Sequence, residues 1–196
     1  MQKFVLATNN KHKAEEIKAI FAGKFDILTL SEAGISVNVI EDGKTFEENA
    51  IKKASAVAKL TDLSVISDDS GLMVDYLNGE PGVDTAYFAG LNATDDENID
   101  KLLRSLDGVT FDKRDAKFVC IIAVIIDGQT LTFRGECPGK ILEQRDGENG
   151  FGYDPIFYYP QYDKSFATLP PEIKNTISHR ARALKKMRLW ANRQNF

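Results

Sequence analysis

The sequence has few cysteines, no long apolar segment and no excess of positive charge. Cys120 and Cys137 are its only two cysteines, too few for a disulfide-based fold. No stretch approaches the ~18 apolar residues that a membrane-spanning helix needs. The apolar segment at residues 1–7 is too short for a signal peptide. We therefore expect a cytoplasmic protein without a membrane partner.

The charge balance argues against a nucleic-acid-binding protein. With 29 acidic and 25 basic residues, the net charge is −4, so no overall basic field recruits nucleic acid. An anionic ligand would need local cations or a metal ion. The sequence also lacks a Walker loop, an internal repeat and a long linker. We expect a single domain over residues 1–196.

Short apolar runs that are typical of strands alternate with amphipathic stretches that are typical of helices. This alternation predicts an α/β fold. Two capping boxes, Thr45 with Glu48 and Thr94 with Glu97, mark helix starts, and Asp127-Gly128 marks a hairpin turn. The predicted strands cover about residues 4–7, 26–30, 116–126 and 129–133. The predicted helices are one that follows the polar turn 8–13 and runs to about residue 21, and others at about residues 46–60, 95–106 and 171 onward.

Two adjacent aspartates stand out between two apolar runs. Asp68 and Asp69 follow Val65-Ile66 and precede Ser70-Gly71. We expect one strand to end at the aspartates and another to begin after a turn, and ligands often bind at such strand ends. A buried carboxylate without a partner is costly, so each needs solvent, a cationic side chain or a metal ion. A simple turn between two strands explains this stretch equally well.

Other segments suit an anionic, aromatic ligand. Residues 8–13 lie between a strand and a helix start, where backbone N–H groups attract phosphate, although an ordinary capped turn has the same pattern. The glycine-rich loop 147–157 carries Phe151, which could stack on a nucleobase, or it could be a surface loop pinned by its apolar residues. Lys174, His179 and Arg180 cluster in the last helix, where a solvated face is the alternative.

Six segments of the sequence carry a resemblance to a known family. They are residues 6–13 (LATNNKHK), 41–50 (EDGKTFEENA), 68–72 (DDSGL), 79–83 (GEPGV), 150–155 (GFGYDP) and 174–180 (KNTISHR). Taken together and in this order, they resemble the inosine triphosphate pyrophosphatase family, which acts on non-canonical purine nucleoside triphosphates. One departure is Tyr87, at a position where that family often has arginine.

The resemblance implies an elongated, two-lobed fold with a mixed, twisted sheet, an active-site cleft between the lobes, and a homodimer. It implies hydrolysis of ITP, dITP and XTP to the monophosphate and pyrophosphate, which keeps deaminated purines out of DNA and RNA. It also implies Mg²⁺ as cofactor, bound by Glu41 and Asp69, with Asp69 as the acceptor of the water proton and Asp68 supporting it. The substrate-binding residues that it implies are Thr8, Asn9, Asn10, Lys11, His12, Lys13, Lys53, Ser70, Phe151, Gly152, Tyr153, Asp154, Lys174, His179 and Arg180.

Within this set, the phosphates would bind near the N-terminal turn and Lys53. Phe151 would stack on the purine, while Asp154, Lys174, His179 and Arg180 would contact its edge. Two alternatives remain: a Maf-like pyrophosphatase with other nucleotides as substrates, and a module that binds nucleotides without hydrolysis. The GFGYDP and SHR segments argue against the first, and the acids at 41, 68 and 69 argue against the second.

Overall fold

The computed structural model describes residues 2–194, which contain a seven-stranded mixed sheet and α-helices. The α/β prediction is therefore confirmed. The elements are β1 (Lys3–Leu6), α1 (Lys11–Phe21), β2 (Asp26–Thr29), α2 (Phe46–Ala58), β3 (Ser64–Val74), α3 (Asp95–Ser105), β4 (Asp115–Ile126), β5 (Gln129–Ile141), β6 (Phe157–Tyr159), β7 (Lys164–Ser165), α4 (Pro171–Ile177) and α5 (His179–Arg193).

The sheet has the strand order β2-β1-β3-β4-β5-β6-β7. β1 pairs in parallel with β2 and β3, whereas β6 pairs antiparallel with β5 and β7. The predicted hairpin is confirmed, because Asp127 and Gly128 both have positive φ, as a two-residue turn between twisted strands requires. None of the helices within residues 2–194 has both the length and the hydropathy to cross a membrane.

The chain divides into two compact units, each with its own apolar core. The first unit contains residues up to 69, 120–135 and 179 onward, and the second contains residues 70–119 and 136–178. In the first unit, the inner faces of α1 and α5 pack with strand residues such as Leu6 and Ile66. In the second, α3 packs with aromatic residues such as Phe118 and Phe157. A single domain with a cleft between two lobes stays a prediction.

The predicted turn at the two aspartates is wrong, because β3 runs without interruption through Asp68, Asp69, Ser70 and Gly71. β3 lies inside the sheet, between β1 and β4. Sheet pairing on both sides thus overrides the local turn preference of these residues. Both carboxylates consequently project from the middle of a strand.

The prediction of one helix from Pro171 onward is also wrong, because α4 ends at Ile177 and α5 begins at His179. Ser178 has an extended backbone between them, with ψ of 162°. The apolar residues keep a helical spacing across the break, but those before it and those after it pack in different cores. Ile177 packs on the core of the second unit, whereas Leu184 and Met187 belong to that of the first.

Candidate active site

Adjacent residues of a strand point to opposite faces of a sheet, and β3 thereby separates its two aspartates. Asp68 contacts residues of α1 and α5, whereas Asp69 contacts α2. Ser67, two residues before Asp69, also faces α2, because its hydroxyl donates to the Ala50 carbonyl at 2.6 Å. The first unit therefore contains two carboxylate clusters, which we name after Asp68 and Asp69.

The Asp68 cluster is an ion network in the core. Asp68 is fully buried, with Lys13 Nζ 2.6 Å from Oδ1 and Arg180 Nε 3.1 Å from Oδ2. The buried Cys120 thiol lies 3.0 Å from Oδ2, and Arg180 also pairs with Glu16. Burial disfavours the ionised carboxylate, but the Arg180 and Lys13 cations outweigh burial and hold the pKa of Asp68 well below its usual range. Asp68 is therefore a permanent anion at neutral pH.

The Asp69 cluster contains one cation between two carboxylates. Lys53 Nζ lies 2.9 Å from Asp69 Oδ1 and 2.5 Å from Glu41 Oε2. Asp69 is only 7% exposed, and burial raises its pKa to about 6 although Lys53 opposes the shift. A carboxylate with such a pKa is ionised at pH 7 and can still accept a proton, which is the property of a general base.

The donor set of the Asp69 cluster fits Mg²⁺. Glu41 and Asp69 come from different segments, yet their oxygens converge on the same ammonium group. Mg²⁺ prefers oxygen ligands and usually keeps several waters, with one or two carboxylates and substrate phosphates completing the shell. Within residues 2–194, no group of three or more His, Cys, Asp or Glu side chains could hold a metal ion. With two carboxylates, waters and substrate phosphates would have to supply the other ligands.

The turn before α1 is a capped turn, as the alternative interpretation proposed. Thr8 Oγ1 accepts from Asn10 N at 3.1 Å, and Asn10 Oδ1 accepts from Lys13 N at 3.0 Å. The first N–H groups of a helix have no partner within it, so they remain suited to a phosphate. Phosphate binding by residues 8–13, of which residues 9–12 are exposed, stays a prediction.

In the second unit, Asp154 organises the glycine-rich loop. Its Oδ2 accepts from Lys174 Nζ at 2.5 Å and from Phe151 N at 2.9 Å. A Cβ on Gly150, which has φ of 83°, would lie 2.2 Å from the same oxygen, so the loop needs glycine there. Lys174 Nζ also lies 4.8 Å from the centre of the Phe151 ring. Phe151, Asp154 and Lys174 thus lie together, as the family resemblance implied, and their contact with a nucleobase stays a prediction.

Two neighbours of Phe151 fix the loop to the rest of the second unit. Gly152 N donates to Asp95 Oδ2 at 2.7 Å. Tyr153 is buried, and its hydroxyl donates to the Thr85 carbonyl at 3.0 Å. The Tyr153 side chain therefore acts as an anchor, and substrate contacts by these two residues stay a prediction.

Arg180 differs most from its predicted role. The sequence grouped it with Asp154 and Lys174 at the purine edge, but its described contacts are with Asp68 and Glu16. Its side chain is 1% exposed. These contacts make Arg180 a counter-ion of Asp68, and a nucleobase contact stays a prediction. His179 beside it is also buried, and Ser70 is partly exposed in β3.

Several residues of these clusters were missed by the sequence analysis. Glu16 lies one helical turn after Lys13, and this i, i+3 spacing was a usable signal for a shared ion network. Cys120 was interpreted as a core residue, which its burial confirms, but its contact with Asp68 gave no sequence signal. Gly135 allows β5 to approach α5, because a Cβ there would lie 2.1 Å from the His179 carbonyl oxygen.

Comparison with known proteins identifies the family of the chain. The Ham1 family model matches residues 4–190. The dITP/XTP pyrophosphatase of Clostridium perfringens is 48% identical over 96% of both chains, and that of Thermoanaerobacter pseudethanolicus is 47% identical over 95% of this chain and 94% of its own. The Ham1 protein structures of Staphylococcus aureus (44% identity, TM-score 0.88) and Coxiella burnetii (38%, 0.89) each cover 98% of this chain and 100% of their own. The chain therefore belongs to the Ham1 family.

Proposed function

We propose that the protein hydrolyses dITP, XTP and ITP to the monophosphate and pyrophosphate, and so removes deaminated purines from the nucleotide pool. The observation that carries the proposal is the Asp69 cluster, in which a carboxylate with a raised pKa faces a second carboxylate across one cation. The names of the relatives support the substrate class. The resemblance also supports a cytoplasmic homodimer that binds no nucleic acid directly.

In this reaction, the ionised Asp69 carboxylate orients a water molecule toward the α-phosphorus and accepts its proton. The water oxygen forms the new bond to phosphorus, and the bond to the bridging oxygen of the pyrophosphate group breaks. A general base of this kind contributes about 10²- to 10⁴-fold to the rate. Asp68 stays ionised and holds Lys13 and Arg180 in place on the other face of β3.

Glu41 and Asp69 would hold Mg²⁺. When bound, the ion would neutralise negative charge on the triphosphate and polarise its phosphoryl oxygens. Lys53, which now lies between the two carboxylates, would then be available to the phosphates as a further cation. Lys13 of α1, which is ion-paired with Asp68 of β3, would be a second cation for the phosphates. Its side chain is 15% exposed.

Nucleobase choice would depend on Phe151, Asp154 and Lys174. Phe151 offers a ring for stacking, and Lys174 beside it offers a cationic donor. Hypoxanthine and xanthine carry the acceptor O6, whereas adenine carries an amino donor at that position. Two facing donors leave two buried groups unpaired, and mismatches of this kind support rejection by about 10⁴-fold.

A pyrophosphate-release assay tests this function. The panel contains dITP, XTP, ITP, GTP, ATP and the pyrimidine nucleotides, and a coupling pyrophosphatase converts the product to phosphate. We expect the highest kcat/KM with dITP, XTP and ITP. A preference for pyrimidines would favour a Maf-like enzyme, and binding without turnover would favour a nucleotide-binding module. Sedimentation of the pure protein tests the dimer.

Removal of the metal ion tests the proposed cofactor separately. In EDTA, hydrolysis of dITP should fall to background, and Mg²⁺ should restore it. Full activity in EDTA would exclude the metal-binding role that we propose for Glu41 and Asp69.

A further inference from the structure

The segment that carries Glu41 is tied to the first turns of α2 by two backbone N–H groups. We call residues 41–44 the Glu41 loop. Gly43 N donates to Asn49 Oδ1 at 2.8 Å, and Lys44 N donates to Glu48 Oε2 at 2.7 Å. Asn49 is 3% exposed, whereas Glu41 and Lys44 are exposed. A buried amide oxygen thus holds a surface loop.

This arrangement also explains why residue 43 is glycine. A Cβ at position 43 would lie 2.5 Å from Asn49 Oδ1 and 2.9 Å from Glu48 Cβ. Gly43 is not among the glycines with positive φ, so the requirement concerns space and not backbone conformation. Any larger residue would push the loop away from Asn49.

Glu48 therefore makes a different contact from the one that its position predicted. The capping box would direct its carboxylate to the N–H of Thr45, but the carboxylate binds Lys44 N instead. The other half of the motif is present, because Thr45 Oγ1 accepts from Glu48 N at 3.1 Å. The first turn of α2 is thus used to hold the loop.

The same face of α2 holds the loop and its carboxylate. Asn49 and Lys53 are four residues apart and both are buried, so they lie one turn apart on one face. Asn49 fixes the loop backbone at Gly43, and Lys53 Nζ binds the Glu41 carboxylate. Lys53 also binds Asp69, so the position of the loop sets the spacing between the two carboxylates.

We propose that Asn49 is a positioning residue. Its amide oxygen holds the Glu41 loop against α2 and thereby keeps the Glu41 carboxylate at a fixed distance from the Asp69 carboxylate. The consequence for metal binding rests on the proposed function. Outer residues that orient a metal ligand commonly affect metal affinity about 10- to 100-fold. Asn49 makes no described contact with Asp69, so its effect on turnover should disappear at saturating metal.

The test compares Asn49→Ala with Lys52→Ala. The second variant is a matched control, because Lys52 also joins α2 to the Glu41 loop, through an exposed ion pair with Asp42. The readouts are Mn²⁺ affinity by calorimetry without nucleotide, the Mg²⁺ concentration for half-maximal turnover, and amide hydrogen exchange of residues 41–44. Thermal unfolding reports whether each variant folds.

For Asn49→Ala we expect Mn²⁺ affinity to fall about tenfold, the half-maximal Mg²⁺ concentration to rise by a similar factor, and kcat at saturating Mg²⁺ to stay within about twofold. Exchange of the Gly43 amide should accelerate. For Lys52→Ala, the Mn²⁺ affinity, the half-maximal Mg²⁺ concentration and the exchange rate of the Gly43 amide should stay within about twofold of the wild-type values. Gly43→Ala should reproduce the effects of Asn49→Ala. The loss of Mn²⁺ affinity in the double variant should be smaller than the sum of the two single losses, because both substitutions remove the same contact.

Three outcomes would distinguish a failure of the proposed function from a failure of the role of Asn49. A wild-type protein that neither binds Mn²⁺ nor hydrolyses dITP would contradict the proposed function. A wild-type protein that does both, with Asn49→Ala and Gly43→Ala as active and as metal-avid as Lys52→Ala, would overturn the role of Asn49. Faster exchange of the loop with unchanged metal affinity would equally overturn it, because Asn49 would then only order the loop.

Discussion

The two faces of β3 hold adjacent aspartates in opposite electrostatic states. On one face, Asp68 and Glu16 are paired with two cations, Lys13 and Arg180, so the named side chains carry no net charge. On the other face, Lys53 is ion-paired with both Asp69 and Glu41, so these three named side chains carry one excess negative charge. The pKa of Asp68 is accordingly held low, and that of Asp69 is raised to about 6.

This difference indicates a division of labour between the two carboxylates. A buried carboxylate that two cations keep ionised cannot accept a proton near neutral pH, and it serves as a fixed counter-ion. A buried carboxylate with too little positive charge can accept a proton and also favours an added cation. We therefore propose that Asp69 takes part in the chemical reaction, whereas Asp68 keeps the surrounding cations in place.

The largest expected effect is on turnover. Asp69→Asn should lower kcat for dITP by 10²-fold or more, because the variant loses the proton acceptor and a metal ligand while keeping the side-chain shape. Binding of a non-hydrolysable dITP analogue, measured by calorimetry, should change little. Retention of more than about a tenth of the wild-type kcat would show that another group activates the water.

The next largest effect is on the free energy of unfolding. Here the substitution of Asp68 should have the larger effect and that of Asp69 the smaller one. Asp68→Asn leaves Lys13 and Arg180 without the carboxylate between them, and such a loss commonly costs about 3–5 kcal/mol. Asp69→Asn should change the free energy of unfolding by less than about 1 kcal/mol, since it removes a carboxylate whose ionised form is disfavoured by burial. Urea unfolding at pH 7 measures both, and equal losses would contradict the division.

The free energy of unfolding should also depend on pH in opposite ways for Asp69 and Asp68. The folded-state pKa of Asp69 is raised to about 6 from an unfolded value near 4, so its stabilising contribution is present below about pH 4 and is lost as the pH rises through 6. Between pH 4 and 7, the wild type should therefore lose roughly 2–3 kcal/mol relative to Asp69→Asn. Glu15→Gln, which removes an exposed carboxylate on α1, is the control.

Asp68 should show the opposite dependence. Its lowered pKa gives stability that is present above the unfolded value and is lost as the pH falls below about 4. Asp68→Asn should therefore remove part of the acid sensitivity that the wild type shows below that pH. Urea unfolding from pH 2 to 5 measures this difference.

The smallest expected effect concerns nucleobase choice. Lys174→Met should narrow the ratio of kcat/KM for dITP over dATP by about 1–3 kcal/mol, the range for loss of a hydrogen bond to a charged group. Arg180→Ala should lower both values and leave the ratio within about twofold, because its described contacts are with carboxylates of the Asp68 cluster. A collapse of the ratio in Arg180→Ala alone would restore Arg180 as the residue that contacts O6.

Much of the fold could be predicted because its signals are local. The helix starts at Phe46 and Asp95 and the Asp127-Gly128 hairpin each follow from a few neighbouring residues. Two of the errors concern places where distant packing decides the structure. Turn-forming residues at 68–71 continue a strand because the sheet flanks them on both sides, and the apolar period of residues 177–187 crosses a helix break because it serves two cores.

The residues of the candidate site were named through the family resemblance and stay a prediction, whereas the contacts between them were not predicted. The sequence grouped Glu41, Lys53 and Asp69 only through the family resemblance, and their spacing along the chain gave no sign that one ammonium group joins both carboxylates. The partners of Arg180, which lie 112 and 164 residues away, could not be inferred from its sequence neighbours. Ion networks of this kind depend on which strands and helices become adjacent.

Direct titration of the two carboxyl groups is the most direct test of the proposed division between Asp68 and Asp69. Carbon-13 NMR of protein labelled at aspartate side chains, with Asp68→Asn and Asp69→Asn for assignment, follows each carboxyl group in the metal-free protein. We predict that Asp69 titrates near pH 6, while Asp68 remains ionised below its ordinary range. Titration of both groups together near pH 4, or titration of Asp68 at a higher pH than Asp69, would contradict the proposed division.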